Sequence, residues 1–199
     1  MLFGYFAFVG PKKEGDMRTL GAFGSVLALS GAVSAGVFDS PRTVPRGAYE
    51  VGIEHLVWMK PSFKFGLFEH MEYGLGGRTD FGLHIGVEAE EPTYIGIDLE
   101  RRIIGGDRGP MISASLGAHY RDSLRVDIRA SLGFGFPQLV SYLGLDVDLP
   151  VSEEPEASSV LFIGVGFSAN PSLEYRFEAL FGLNEDGDQG VDIGAVWRF

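Results

Sequence analysis

From Tyr49 to Phe199 the chain repeats one pattern, in which apolar residues alternate with residues that are charged, polar or glycine. A period of two puts successive side chains on opposite faces of an extended backbone. Each stretch therefore reads as a strand with one apolar and one mixed face. The pattern recurs in ten stretches, near residues 49–57, 63–77, 81–89, 93–104, 111–121, 124–136, 138–149, 159–168, 172–183 and 190–199. Proline cannot donate a hydrogen bond inside a sheet, so it checks this division independently. Pro61, Pro92, Pro110, Pro137, Pro150, Pro155 and Pro171 all fall between stretches. The chain is all-β, with ten strands expected and eight or twelve as alternatives.

Alternation alone fits two architectures. A soluble sandwich or barrel turns its apolar faces inward. A transmembrane barrel inverts this, presenting apolar residues to lipid and polar ones to the lumen. The mixed face here carries Gly52, Gly66, Gly82, Gly86, Gly96, Gly117, Gly133, Gly144, Gly164 and Gly194. A solvated face gains nothing from glycine, which weakens strands. A narrow lumen crowded with Arg and Glu does need small residues beside large ones.

Aromatics point the same way. Tyr49, Tyr73, Phe81, Phe134, Phe167, Tyr175, Trp197 and Phe199 are expected near one rim. Trp58, Phe63, Tyr94, Tyr120 and Phe181 are expected near the other, as two interfacial belts require. The expected fold is a transmembrane antiparallel up-and-down β-barrel over residues 47–199, with a soluble lipocalin-like barrel as the alternative. Glu69 and Arg101 have the lipid-facing phase, and counting from the turns puts both near a rim, where charge is tolerable.

The N-terminal part fits export. Arg18, the apolar small-residue stretch Leu20 to Val33, and Val33-Ser34-Ala35 have the layout of a cleaved signal peptide. Residues 1–35 are thus expected to be an extension plus signal, and 36–46 a periplasmic leader. Residues 1–16 are either an early start assignment or a genuine extension. The absence of cysteine excludes disulfides and thiolate metal sites. A net charge of −11 argues against nucleic acid as a partner.

The final stretch, GVDIGAVWRF from Gly190, closes with Trp197 and Phe199 two residues apart, and YGLGGRTDFGLHIG (Tyr73–Gly86) reads as strand–turn–strand. Both resemble the small bacterial outer-membrane β-barrels. In that class the barrel-assembly machinery reads an aromatic C-terminal strand. The resemblance implies an assembly signal at Trp197 and Phe199, an outer-membrane location, and outer-membrane lipid and the assembly machinery as partners.

The inward phase collects charges of both signs. Counting outward from the turns sets His84 near Asp98, His70 near Glu88, and Glu174 near Arg198. Arg125, Asp127 and Arg129 face Asp146 and Asp148, and Arg176 also points inward. One reading is a salt-bridge network filling a narrow lumen, with a structural, small-solute or surface-interaction role. The other is a lumenal acid–base site using His70, His84 and Glu72 or Asp98, as in outer-membrane proteases or lipid A-modifying enzymes. The network is preferred, because buried charges need partners in any narrow barrel. The sequence also has no serine in a nucleophile context. No cofactor is expected, and the spacing of His70, Glu72 and His84 supplies no metal geometry. The sequence specifies no small-molecule ligand.

Overall fold

A computed structural model describes residues 40–60, 63–89, 91–152, 156–184 and 187–199. The expected signal peptide, its cut after Ala35 and residues 1–16 lie outside the described residues. Ten strands form: β1 (Tyr49–Lys60), β2 (Lys64–Gly76), β3 (Thr79–Glu88), β4 (Tyr94–Ile104), β5 (Gly109–Tyr120), β6 (Leu124–Gly135), β7 (Leu139–Pro150), β8 (Ser158–Asn170), β9 (Leu173–Gly182) and β10 (Gln189–Arg198). Each pairs antiparallel with its chain neighbours, and β1 pairs with β10 to close the barrel. The fold is an up-and-down barrel with no sheet edge left open.

Both termini of the barrel domain lie at one rim, here called the terminal rim. Its connections are compact: residues 77–78, 105–108, 136–138 and 171–172. The β2–β3 turn places Gly77 at φ 64° and Arg78 at φ 66°, the left-handed pair that suits a right-twisted hairpin. Residues 61–63, 89–93, 121–123, 151–157 and 183–188 connect strands at the opposite, loop rim.

Burial follows the alternation, with the faces inverted relative to a soluble protein. Outward-facing Leu116 is 60% exposed and Ile163 52%, whereas Glu174 and Asp192 are 0% exposed and Arg125 and Arg176 2%. Large apolar side chains cover the outside from rim to rim, including Ile97, Ile128, Leu143 and Phe177. A water-soluble domain does not expose an apolar surface of that extent while burying its charges. Strands of 10–13 residues, tilted as closure demands, have the length to cross a bilayer. The barrel is of the transmembrane type.

Three expectations about the outer face need adjustment. The aromatics assigned to the terminal rim do face outward, and Tyr49 packs on Tyr73 with ring centroids 4.9 Å apart. At the loop rim Phe63, Tyr120 and Phe181 are exposed. Trp58 and Tyr94, however, point into the barrel, only 4% and 5% exposed. Their positions share the parity of Glu54 and Gly96, and in a strand parity decides the face, whatever the residue type. Glu69 does face outward, yet not at a rim. It pairs with Ile53 and Ile85, with Phe65 and Leu67 on one side of it along β2 and Met71 and Leu75 on the other.

Phe199 completes the closure. Its N–H donates to the Tyr49 carbonyl at 2.9 Å, and its carbonyl accepts from the Tyr49 N–H at 3.1 Å. Replacing Phe199 with Glu is expected to lower the yield of the compact, heat-modifiable species on semi-native gels. An undiminished folded fraction would separate this residue from closure.

Candidate functional site

The lumen is the site, and its contents follow from the inward phase of every strand. Near the terminal rim, β1 contributes Glu50, β9 Glu174 and Arg176, and β10 Arg198. Arg176 Nη2 donates to Glu50 Oε1, and its Nε donates to Glu174 Oε1 at 2.8 Å. Arg198 bridges the same two carboxylates, through Nε to Glu50 at 2.8 Å and Nη2 to Glu174 at 3.2 Å. Glu50 and Glu174 are buried, so these charge-assisted bonds replace the water each carboxylate has lost.

A second cluster lies toward the loop rim, on β5, β6 and β7. Arg125 Nε reaches Asp148 at 2.7 Å, Arg129 Nη2 reaches Asp146 at 3.1 Å, and His119 Nδ1 lies 2.8 Å from Asp127. Arg121 donates to Glu88 on β3 at 2.9 Å. His119, Asp127 and Asp148 offer donor atoms within 4.8 Å of one another, which is a possible metal spacing. Arg125 already occupies the Asp148 oxygen on that side, so the set reads as ion pairing.

Between these clusters lie the histidines. His84 Nε2 is 2.7 Å from Asp98 Oδ1. His70 is paired in register with His84 and lies against Glu54, 2.6 Å away, with Glu72 at 3.9 Å. It does not lie against Glu88, whose register partner is Gly66 and whose carboxylate is taken by Arg121. The structure thus brings together His84 with Asp98, Glu174 with Arg198, and Arg125 and Arg129 with Asp148 and Asp146. The His84–Asp98 pair is the nearest thing to an acid–base dyad. It is packed tightly against β3, where a Cβ placed on Gly82 would collide with Asp98 Oδ1, and the Asp98 carboxylate keeps a partly exposed edge.

Sequence reasoning missed that much of the lumen is apolar. Leu56, Trp58, Phe68, Tyr94, Met111, Val140, Tyr142, Val160, Phe162 and Leu180 form one buried cluster. Several inward glycines face these side chains. A Cβ on Gly86 would fall inside the Phe68 ring, one on Gly144 inside Phe162, and one on Gly164 inside Tyr142. Tyr142 donates to Glu178 at 2.8 Å, and Arg121 and Arg129 lie 5.8 and 5.9 Å over the Tyr94 and Phe162 rings. The signal was available, since each of these residues has the parity of a glycine or charge on its own strand.

Residues 40–46, expected as a leader, fold into the terminal mouth. Arg42 Nη1 donates to Glu174 at 3.1 Å, and Nη2 to the carbonyls of Phe136 and Leu139. The Val44 N–H donates to Asp80 Oδ2 at 2.6 Å. Gly133 lies under Pro41, where a Cβ would come 2.5 Å from Cγ, and Gly74 lies under the Pro45 carbonyl. Contacts from β2 and β3 on one side to β6, β7 and β9 on the other make this segment a strap across the mouth.

No family model and no curated protein sequence matches the chain. Among solved structures, a designed transmembrane β-barrel is 10% identical at a TM-score of 0.42, over 77% of this chain and 97% of the design. The N-terminal β-barrel domain of Pseudomonas aeruginosa OprF is 10% identical at 0.39, over 77% of this chain and 98% of that one. The translocator domain of the autotransporter NalP from Neisseria meningitidis is 11% identical at 0.42, over 92% and 94%. Likenesses at such scores decide nothing beyond what the strand pairing already establishes.

Removing one member of the terminal cluster leaves charges buried without a partner, which costs about 3–5 kcal/mol in a protein interior. Arg176→Leu is therefore expected to destabilise the folded barrel by about that amount in denaturant titrations. Combining it with Glu50→Gln should recover part of the loss. Equal stability of wild type and Arg176→Leu would show that the cluster contributes little.

Proposed function

We propose that the protein resides in the outer membrane of a Gram-negative envelope as a closed, non-conducting barrel with a structural role. The observation that carries this reading is how the inward side chains fill the cylinder. Several bonds skip a strand instead of joining neighbours: Arg176 on β9 to Glu50 on β1, Tyr142 on β7 to Glu178 on β9, and Arg121 beyond β5 to Glu88 on β3. Such contacts reach into the lumen, and the strap covers its terminal mouth. A ten-stranded cylinder lies close to the side-chain-filled eight-stranded case and far from channels of about sixteen strands. The apolar exterior supports membrane residence, and the signal-like segment before Gly36 supports export. Trp197 and Phe199, on the closing strand, are where the assembly machinery would engage the chain. The lumenal-enzyme reading has less support, because His84 and Asp98 are packed against Gly82 and spaced for pairing with each other.

Expressed with its own leader in a Gram-negative host, the protein is expected to lose residues 1–35 and sediment with the outer membrane. Recovery as an uncleaved soluble protein would overturn the location. In planar bilayers the wild type is expected to show at most small, rare openings. Deletion of residues 40–45 together with Arg129→Ala should raise both their size and their frequency. A large, steady wild-type conductance would replace the structural reading with a pore.

A further inference from the structure

The exterior carries one anomaly that neither the lumen nor the proposed role uses. Among described strand positions of outward phase, only His55, Lys60, Glu69 and Arg101 are Asp, Glu, His, Lys or Arg, and Lys60 ends β1 at the loop rim, beyond a bulge. Arg101 pairs with Thr79 beside the β2–β3 turn, at the terminal rim, where a headgroup can receive it. His55 and Glu69 lie within the apolar band on adjacent strands. Ile53 pairs with Glu69 and His55 with Leu67, so the two are diagonal neighbours on one face. They do not satisfy each other. The His55 ring stacks on Phe65 at 5.9 Å, and Glu69 has no hydrogen-bond or ion-pair partner among the described residues.

An ionisable side chain facing hydrocarbon is costly, and one retained there marks a contact other than lipid. The pair itself names the partner. A carboxyl and an imidazole on the same patch are complementary to each other, so the patch is complementary to a copy of itself. A twofold axis along the membrane normal turns one patch onto another. Glu69 of each copy then meets His55 of the other in two identical contacts. Each contact holds one proton between imidazole and carboxyl, and both groups leave the lipid together. We propose that the β1–β2 face is an interface between two copies of this chain within the bilayer, with reciprocal Glu69–His55 pairing.

The inference rests on the membrane reading, and the experiment separates the two. The chain has no cysteine, so single-cysteine variants each report one position. Full-length protein, refolded into phosphatidylcholine vesicles, is oxidised as Ile53→Cys on β1 or as Leu143→Cys on the far wall. Ile53→Cys is expected to give at least ten-fold more disulfide-linked dimer. Adding Glu69→Leu, which removes a charge from the lipid face and so preserves folding, should reduce that yield at least ten-fold. The exchange His55→Glu with Glu69→His should restore it. Equal cross-linking at the two positions, indifference to Glu69→Leu, or failure of the exchange would each overturn the interface, and with it a second copy in favour of lipid or a different protein. Heat-modifiable mobility and vesicle flotation are read on the same samples. A wild type that neither shifts nor floats would overturn the membrane reading itself.

Discussion

The pairing of β1 with β10 is the contact on which the rest depends. In hydrocarbon no water is available to satisfy backbone N–H and C=O groups, so a sheet with an open edge cannot persist there. Once Val51 pairs with Trp197 and Tyr49 with Phe199, every strand has two neighbours and the exterior can be wholly apolar. Closure also sets the lumen. With the diameter fixed by strand number, the inward side chains must fill a given volume and satisfy one another's polarity at the same time.

The lumen meets that double demand by dividing its contents. Arginines at the terminal rim hold Glu50 and Glu174, and those near the loop rim hold Asp146 and Asp148. Between and beside them lies the apolar group around Phe68, Tyr142 and Phe162, seated over glycines. A barrel filled by charge alone would need a partner for every buried oxygen. The aromatic rings occupy space without that requirement, and two of them lie under arginine guanidinium groups.

The fold was legible because strand parity is a strong signal when repeated ten times, and proline punctuates it closely, although Pro110 and Pro150 fall within the ends of β5 and β7 rather than between strands. Pairings between neighbouring strands were legible too, as with His84 and Asp98 or Arg129 and Asp146, because hairpin register can be counted from the turn. What failed had long-range or compositional origins. Residue type places Trp58 and Tyr94 in a belt, whereas their parity places them inside. His70 and Glu88 are four positions out of register, since His70 pairs with His84 and Glu88 with Gly66. Glu50 and Arg176 meet across β10, a relation that no single hairpin contains. The strap has no period at all, and its position is fixed by two carboxylates, on β3 and β9, and by backbone on β2, β6, β7 and the β6–β7 connection.

That strap joins parts of the barrel that lie far apart in the chain. Arg42 finds Glu174 132 positions further along the chain, while Val44 bonds Asp80 and Pro45 lies over Gly74. Part of its seat is built early in the chain, on β2 and β3, and part later, on β6, β7 and β9. Contacts of such sequence separation form late, after the loops they close have been ordered. The segment next to β1 has its full set of contacts only where β2 and β3 on one side and β6, β7 and β9 on the other stand in their native places. Its docking therefore cross-braces the mouth, tying walls that the hydrogen-bonded ladder joins only by way of the strands between them.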